Sequence, residues 1–202
     1  MKIRYFLLPL VLLLLGQSSD ALRTKVENAY KKINSLEAKV VQTNYFAQLK
    51  TSKSFEGKIF YQVNRLLLRF EKPYLQRLQI SGSVVDIYDS QSQTLISSAL
   101  MPELGQMNPL TILQFYWNKS KVEITAKTKG RISIKLTPKN DTFVKTLSAV
   151  IDAESALIYE LSYADFSNNT VSYVFSGIKT NHRIDPAIWK FNPPKGTQLI
   201  HQ

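Results

Sequence analysis

Residues Phe55 to Asp89 read FEGKIFYQVNRLLLRFEKPYLQRLQISGSVVDIYD, and this stretch decides the fold. Apolar side chains alternate through it: Phe55, Ile59, Tyr61 and Val63, then Leu66, Leu68 and Phe70, then Leu78 and Ile80, then Val85 and Ile87. Successive side chains of an extended strand point to opposite sides, so the pattern gives four or five short strands one apolar face. Lys72-Pro73 breaks the run, because proline cannot donate to a strand ladder. Ser81-Gly82-Ser83 suits a hairpin turn, glycine being free to take a positive φ. An apolar sheet face has to be covered. Helix-forming stretches are few, so the expectation is a curved sheet folded around its own apolar face.

Outward from there, Leu36 to Leu49 reads as a long strand with neither parity purely apolar, which suits cover on one side and partial wetting on the other. Before it, Leu22 to Ile33 reads as a helix. Leu22, Val26, Ala29, Tyr30 and Ile33 form one stripe, and Arg23, Lys25, Glu27, Lys31 and Lys32 the other. The stripe fits a helix docked on a sheet and equally a lid over a cavity. After the opening stretch come a turn at Asp89 to Ser92, a strand from Gln93 to Ser98 and a loop from Leu100 to Met107. Asn108-Pro109 starts a second helix, asparagine as its cap and proline in its first position. Leu110, Leu113, Gln114 and Trp117 make its stripe, and Ile112, Phe115 and Tyr116 widen it. Such a helix must be buried or must close over something apolar. From Lys121 the alternation returns: Val122, Ile124 and Ala126, then Ile132, Ile134 and Leu136. Thr146 to Asp152, Ala156 to Phe166 and Thr170 to Ile178 follow as strands, with a last edge strand at Trp189 to Phe191. The count is about eleven strands and two or three helices, with no repeat and no linker.

A chain of 202 residues, 44% hydrophobic and 20% charged, fits one globular domain. Its 26 basic and 15 acidic residues give +11, a balance that suits nucleic acid, an anionic membrane or acidic partners. The charge is spread along the strands, which fits the solvated face of a sheet. There is no cysteine, which excludes a disulfide, a thiolate metal site, a thiol nucleophile and a lipid anchor on an N-terminal cysteine. Lys2 and Arg4 precede an apolar run from Phe6 to Leu15, then Gly16 and the polar patch Gln17 to Asp20, the order of a secretory signal peptide. The run is roughly half the twenty or so residues needed to cross a bilayer, which favours removal over an uncleaved anchor. Ser19 and Ala21 suit the small positions before a cut. The expected division is a signal peptide over 1–21 and one mature domain over 22–202, with a cut after Ser18 as the alternative. No second apolar run is long enough to span a membrane, so the mature protein is expected to be soluble outside the cytoplasm.

Chemistry is sparse. The two histidines, His182 and His201, lie near no carboxylate at a ligand or triad spacing. Asp86 and Asp89 flank a strand and its turn, and Asp152 and Glu154 sit at a hairpin where acids are ordinary turn residues. There is no GxSxG, and seven glycines leave little room for a phosphate loop. Asn118, Asn140 and Asn168 head Asn-x-Ser/Thr triplets, relevant only in a glycosylating source. A binding protein without catalytic residues, metal or cofactor is expected. Aromatic residues make up 11%, among them Phe46, Phe60, Tyr61, Phe70, Tyr88, Tyr159, Tyr163, Tyr173 and Phe175. They serve a packed core or a large pocket equally well.

The order of these features resembles the LolA family, periplasmic carriers of outer-membrane lipoproteins. The likeness runs through VVQTNYF at 40–46, Phe55-x-Gly57, Arg69-Phe70-Glu71-Lys72-Pro73, Ile80-Ser81-Gly82, Ile87-Tyr88-Asp89, Asn108-Pro109-Leu110 and Trp189-x-Phe191-x-Pro193-Pro194-x-Gly196. The resemblance implies a mainly β (α+β) fold, an incomplete antiparallel β-barrel with helices as a lid. It implies a monomer that takes the acyl chains of lipoproteins from an inner-membrane releasing transporter to an outer-membrane acceptor, with no nucleic acid involved. The expected lipid-binding residues are Phe46, Phe60, Leu68, Phe70, Leu78, Ile80 and Ile87 on the sheet, with Leu113, Phe115 and Trp117 on the lid. The family's Arg-Pro, whose arginine latches the lid, is replaced here by Val63-Asn64-Arg65. Arg65 or Arg69 is the substitute, or the latch is built differently. The rival readings are a lipid- or glycolipid-binding or lipoprotein-sensing module on the same fold, a basic protein binding an anionic polymer or membrane, and a hydrolase.

Overall fold

The alternating stretch folds into consecutive antiparallel hairpins. In the computed structural model, which describes residues 18–99 and 109–201, these are β2 (Thr51–Gln62), β3 (Arg65–Lys72), β4 (Gln76–Ser81) and β5 (Val84–Asp89). Gly82 takes φ +59° in the β4–β5 turn, and Asn64 takes φ +63° in the β2–β3 turn, a conformation asparagine tolerates. The run at residues 1–17, the loop expected over Leu100–Met107 and the capping Asn108 lie outside the described residues. The other elements are α1 (Ser19–Lys31), β1 (Ser35–Phe46), β6 (Thr94–Ala99), α2 (Pro109–Lys119), β7 (Ser120–Thr128), β8 (Arg131–Pro138), β9 (Thr146–Asp152), β10 (Ile158–Ala164), β11 (Thr170–Thr180), a 3₁₀ helix (Pro186–Trp189) and β12 (Gln198–His201).

All twelve described strands belong to one sheet in the order β12-β6-β5-β4-β3-β2-β1-β11-β10-β9-β8-β7. Its neighbours are antiparallel except β12, which pairs parallel with β6. β12 and β7 do not pair with each other, so the sheet is open: an incomplete barrel. The expected edge strand at Trp189–Phe191 does not form: Trp189 ends the 3₁₀ helix and Lys190 and Phe191 are irregular. The Asp185 carboxylate accepts the Ala187 N–H at 2.9 Å and Pro186 suits the first turn, so the chain coils there. The twelfth strand forms further on, at Gln198–His201.

Cross-strand partners assign every side chain to a face. Val40, Gly57 and Phe70 lie in one row, Ala38, Ile59, Leu68, Leu78 and Ile87 in the next, and Leu36, Tyr61, Leu66, Ile80 and Val85 in the third. The same face continues through Phe175 and Tyr173 to Leu161, Ala149, Ile134 and Ile124. This inner face carries the main core, completed by Leu22, Val26 and Ile33 from the α1 side and Leu113, Tyr116 and Trp117 from α2. The outer face has a smaller core in which Phe60 and Leu67 pack with Ile184 and Trp189 of the C-terminal segment. Gly57 sits at an irregularity in the β2–β3 register, where an added Cβ would come within 2.0 Å of the Arg69 carbonyl oxygen. Only glycine lets the two backbones approach so closely.

Candidate functional site

The inner face is the largest apolar surface the chain builds, and two helices cover part of it. Both follow from local sequence. Ser18 caps α1 by accepting the Ala21 N–H at 3.1 Å, and Pro109 opens α2 in the position proline favours. The α1 stripe puts Leu22 and Val26 against the sheet, as the periodicity anticipates. The helices pack against the β7–β10 side of the face.

Polar bonds among the described residues tie them at named points. At its C-terminal end α1 is tied to β11: the Asn181 side chain donates to the Lys32 carbonyl at 3.0 Å and accepts the Asn34 N–H at 2.8 Å. Along its length, the Ile158 N–H donates to the Tyr30 hydroxyl at 3.1 Å and Lys25 reaches the Ala153 carbonyl. α2 runs straight into β7, and its Tyr116 hydroxyl donates to Asp141 at 3.0 Å. Burial pushes Tyr30 up to about 12, against a small opposing effect of the Ile158 bond. Burial and the Asp141 carboxylate push Tyr116 up to about 12 as well. Burial also raises Tyr173. Among the described residues the buried Trp117 indole N–H finds no acceptor.

The cleft between Val26, Tyr30, Leu113, Trp117 and Ile158 leaves about 10 Å³, room for about one water. On the β7–β10 side of this face, an apolar guest has to displace α1 or α2. α1 is tied to the sheet and its turns through Asn181, Tyr30 and Lys25, and α2 through β7 and Tyr116.

The expected residues divide unevenly. Leu68, Phe70, Leu113 and Trp117 are buried in the main core, and Leu78, Ile80 and Phe115 are half-buried against it. Ile87 shares their face, opposite Leu78, on a wing that is half-buried. Phe46 ends β1 on the same parity as Val40 and is exposed. Phe60 is a correction: Ile59 and Tyr61 point inward, so Phe60 points outward and lies under Trp189. Arg65 and Arg69 are corrections too. They alternate with the inward Leu66, Leu68 and Phe70, so they face away from α1 and α2 and cannot latch them. Arg69 pairs with Glu71 at 2.7 Å. Core residues of this side that the expected set leaves out are Tyr30 on α1 and Ile134, Leu147, Ile158, Leu161 and Tyr173 on the sheet. Their alternation was legible, but nothing local says that α1 and α2 lie over this half of the sheet.

Other chemistry stays on the outside. His182 Nε2 lies 3.3 Å from the Glu37 carboxylate, a partner far away in sequence. A hydrogen bond from Lys58 holds Glu37 below the usual carboxylate range, with a smaller contribution from His182. Among the described residues no three His, Cys, Asp or Glu side chains gather as a metal site would need, and no helix is long and apolar enough to cross a membrane.

Comparison with known proteins gives this surface a setting. The family model described as outer membrane lipoprotein carrier protein LolA matches residues 31–192. The chain belongs to the LolA family. The outer-membrane lipoprotein carrier protein of Ralstonia nicotianae is 30% identical over 148 residues, covering 71% of this chain and 67% of the relative. Among solved structures, an uncharacterized conserved protein from Thermus thermophilus superposes with a TM-score of 0.60 at 12% identity, covering 92% of this chain and 100% of that one. MucB, also solved in the Pseudomonas aeruginosa MucA/MucB complex, superposes at 0.55 and 12% identity, covering 91% of this chain and 66% of MucB. These two likenesses speak to the LolA-type fold alone.

Proposed function

We propose that this LolA-family protein carries lipoproteins across the periplasm by holding their acyl chains against the inner sheet face. The observation that carries the reading is the continuous apolar face from Ile87 to Ile124, covered in part by two helices. Magnitudes agree. The six helix-side residues Leu22, Val26, Ile33, Leu113, Tyr116 and Trp117 are worth about 1.5–3 kcal/mol each when buried, about 9–18 in all. An acyl chain of about fifteen methylenes, at about 0.8 kcal/mol each, is worth about 12. Two or three chains therefore outweigh the helices they displace, and the helices return part of that energy on release. Such a cycle needs no catalytic residue, metal or nucleotide in the carrier.

The same reading makes residues 1–21 a removed export signal and 22–202 the working domain. It supplies a releasing transporter at the inner membrane and an acceptor at the outer membrane as partners. The test mixes the purified exported protein with spheroplasts holding a labelled lipoprotein. Transfer of label into a soluble complex with this protein is expected. Label that stays in the membrane, or free lipid without peptide by mass spectrometry, overturns the reading and favours a lipid-binding or sensing module.

A further inference from the structure

The three most exposed large apolar side chains of the described residues are Phe143 (80%), Leu49 (71%) and Phe166 (59%). They lie on three turns at one end of the sheet: β1–β2, β8–β9 and β10–β11. Strand register fixes this, since Tyr45 pairs with Thr170 and Ala164 with Thr146. The turns adjoin. The Ala47 N–H donates to Asn169 Oδ1 at 3.0 Å, the Lys145 ammonium to Asn168 Oδ1 at 2.9 Å, and the Lys145 N–H to the Ala164 carbonyl at 2.8 Å. The turns are also built. Asp141 accepts the N–H groups of Phe143 and Val144, and Asp165 accepts the Asn169 N–H.

Around the tips, Lys50, Lys119, Lys139 and Lys145 are exposed. The two carboxylates on these turns, Asp141 and Asp165, are occupied by the bonds that shape them, Asp141 also by Tyr116. We propose that this end is a docking surface for an anionic phospholipid bilayer. Three separate tips form no groove for a peptide, but three points define a plane. Apolar tips set among lysines match a planar interface of acyl chains beneath negative headgroups.

The proposal is tested by co-sedimentation of the exported protein with vesicles of phosphatidylglycerol and phosphatidylcholine, against phosphatidylcholine alone. No lipoprotein is present, so failure here leaves lipoprotein carriage untouched. Binding to the anionic vesicles is expected, weakening with salt. Replacing Leu49→Ser, Phe143→Ser and Phe166→Ser together leaves the net charge unchanged and is expected to weaken binding at least tenfold. Replacing Lys50, Lys139 and Lys145 by Gln is expected to abolish the preference for anionic vesicles. Circular dichroism checks that the variants stay folded. No binding by the parent protein overturns the proposal. Undiminished binding by the folded triple-serine variant overturns it too, because attraction would then come from the overall charge.

Discussion

At the scale of single residues, Phe60 shows what parity decides. Ile59 and Tyr61 face the main core, so Phe60 must face outward. The three leucines 66–68 show the same thing: all are buried because both faces of β3 are covered there, Leu67 by the C-terminal segment. Phe60→Ala is expected to cost about 3–5 kcal/mol, read from the denaturant midpoint, while folded protein keeps its uptake of lipoprotein. Leu68→Ser is expected to reduce uptake. Equal loss of uptake in both variants at matched folding would contradict the assignment of faces. Gly57→Ala forces a Cβ to within 2.0 Å of the Arg69 carbonyl and is expected to cost more than the usual ~1–3 kcal/mol of overpacking. An unchanged urea midpoint would show that β2 and β3 can separate. The alternation was legible in the sequence, and with it the sheet residues. What covered the outer face was not, because Ile184 and Trp189 arrive from more than a hundred residues away.

At the scale of elements, the carriage we propose requires α1 and α2 to move. The α1 span was legible from periodicity, apart from the Ser19–Ala21 turn before the expected start at Leu22 and an end at Lys31 where Ile33 was expected. That turn bears on export. A cut after Ala21 removes the Ser18 cap and leaves a charged amino group at the positive end of a shortened helix. Protein beginning at Leu22 is expected to be about 1 kcal/mol less stable than protein retaining Ser18. The tyrosines give the helices a pH signature. Tyr30 and Tyr116 are raised to about 12, so the stability they lend is complete below the ordinary tyrosine pKa of about 10. It is lost as pH rises through about 12. Alkaline titration followed by tyrosine absorbance and Trp117 fluorescence is therefore expected to release α1 and α2 before the sheet melts. A single transition of helices and sheet together, insensitive to Tyr116→Phe, would contradict this. Which helix covers which strands was not legible, since Tyr30–Ile158 and Tyr116–Asp141 join residues far apart in the chain.

At the scale of the whole molecule, one open sheet presents two faces of different use. The outer face carries ion pairs such as Glu37–Lys58 and the C-terminal segment with Trp189, and the inner face carries α1 and α2. Strand order up to β6 and from β7 to β11 follows from hairpin succession, which sequence supplies. The parallel pairing of Gln198–His201 with Thr94–Ser97 does not, because four residues at an edge carry no alternation long enough to read. The chain has two tryptophans, Trp117 inside and Trp189 outside, and they make a direct comparison possible. Single-tryptophan forms, Trp189→Phe and Trp117→Phe, can be mixed with a lipopeptide whose acyl chains carry bromine, a contact quencher. Strong quenching of Trp117 and little of Trp189 is expected. Quenching of Trp189 with Trp117 untouched would place the acyl chains on the wrong side of the sheet and contradict the proposed carriage.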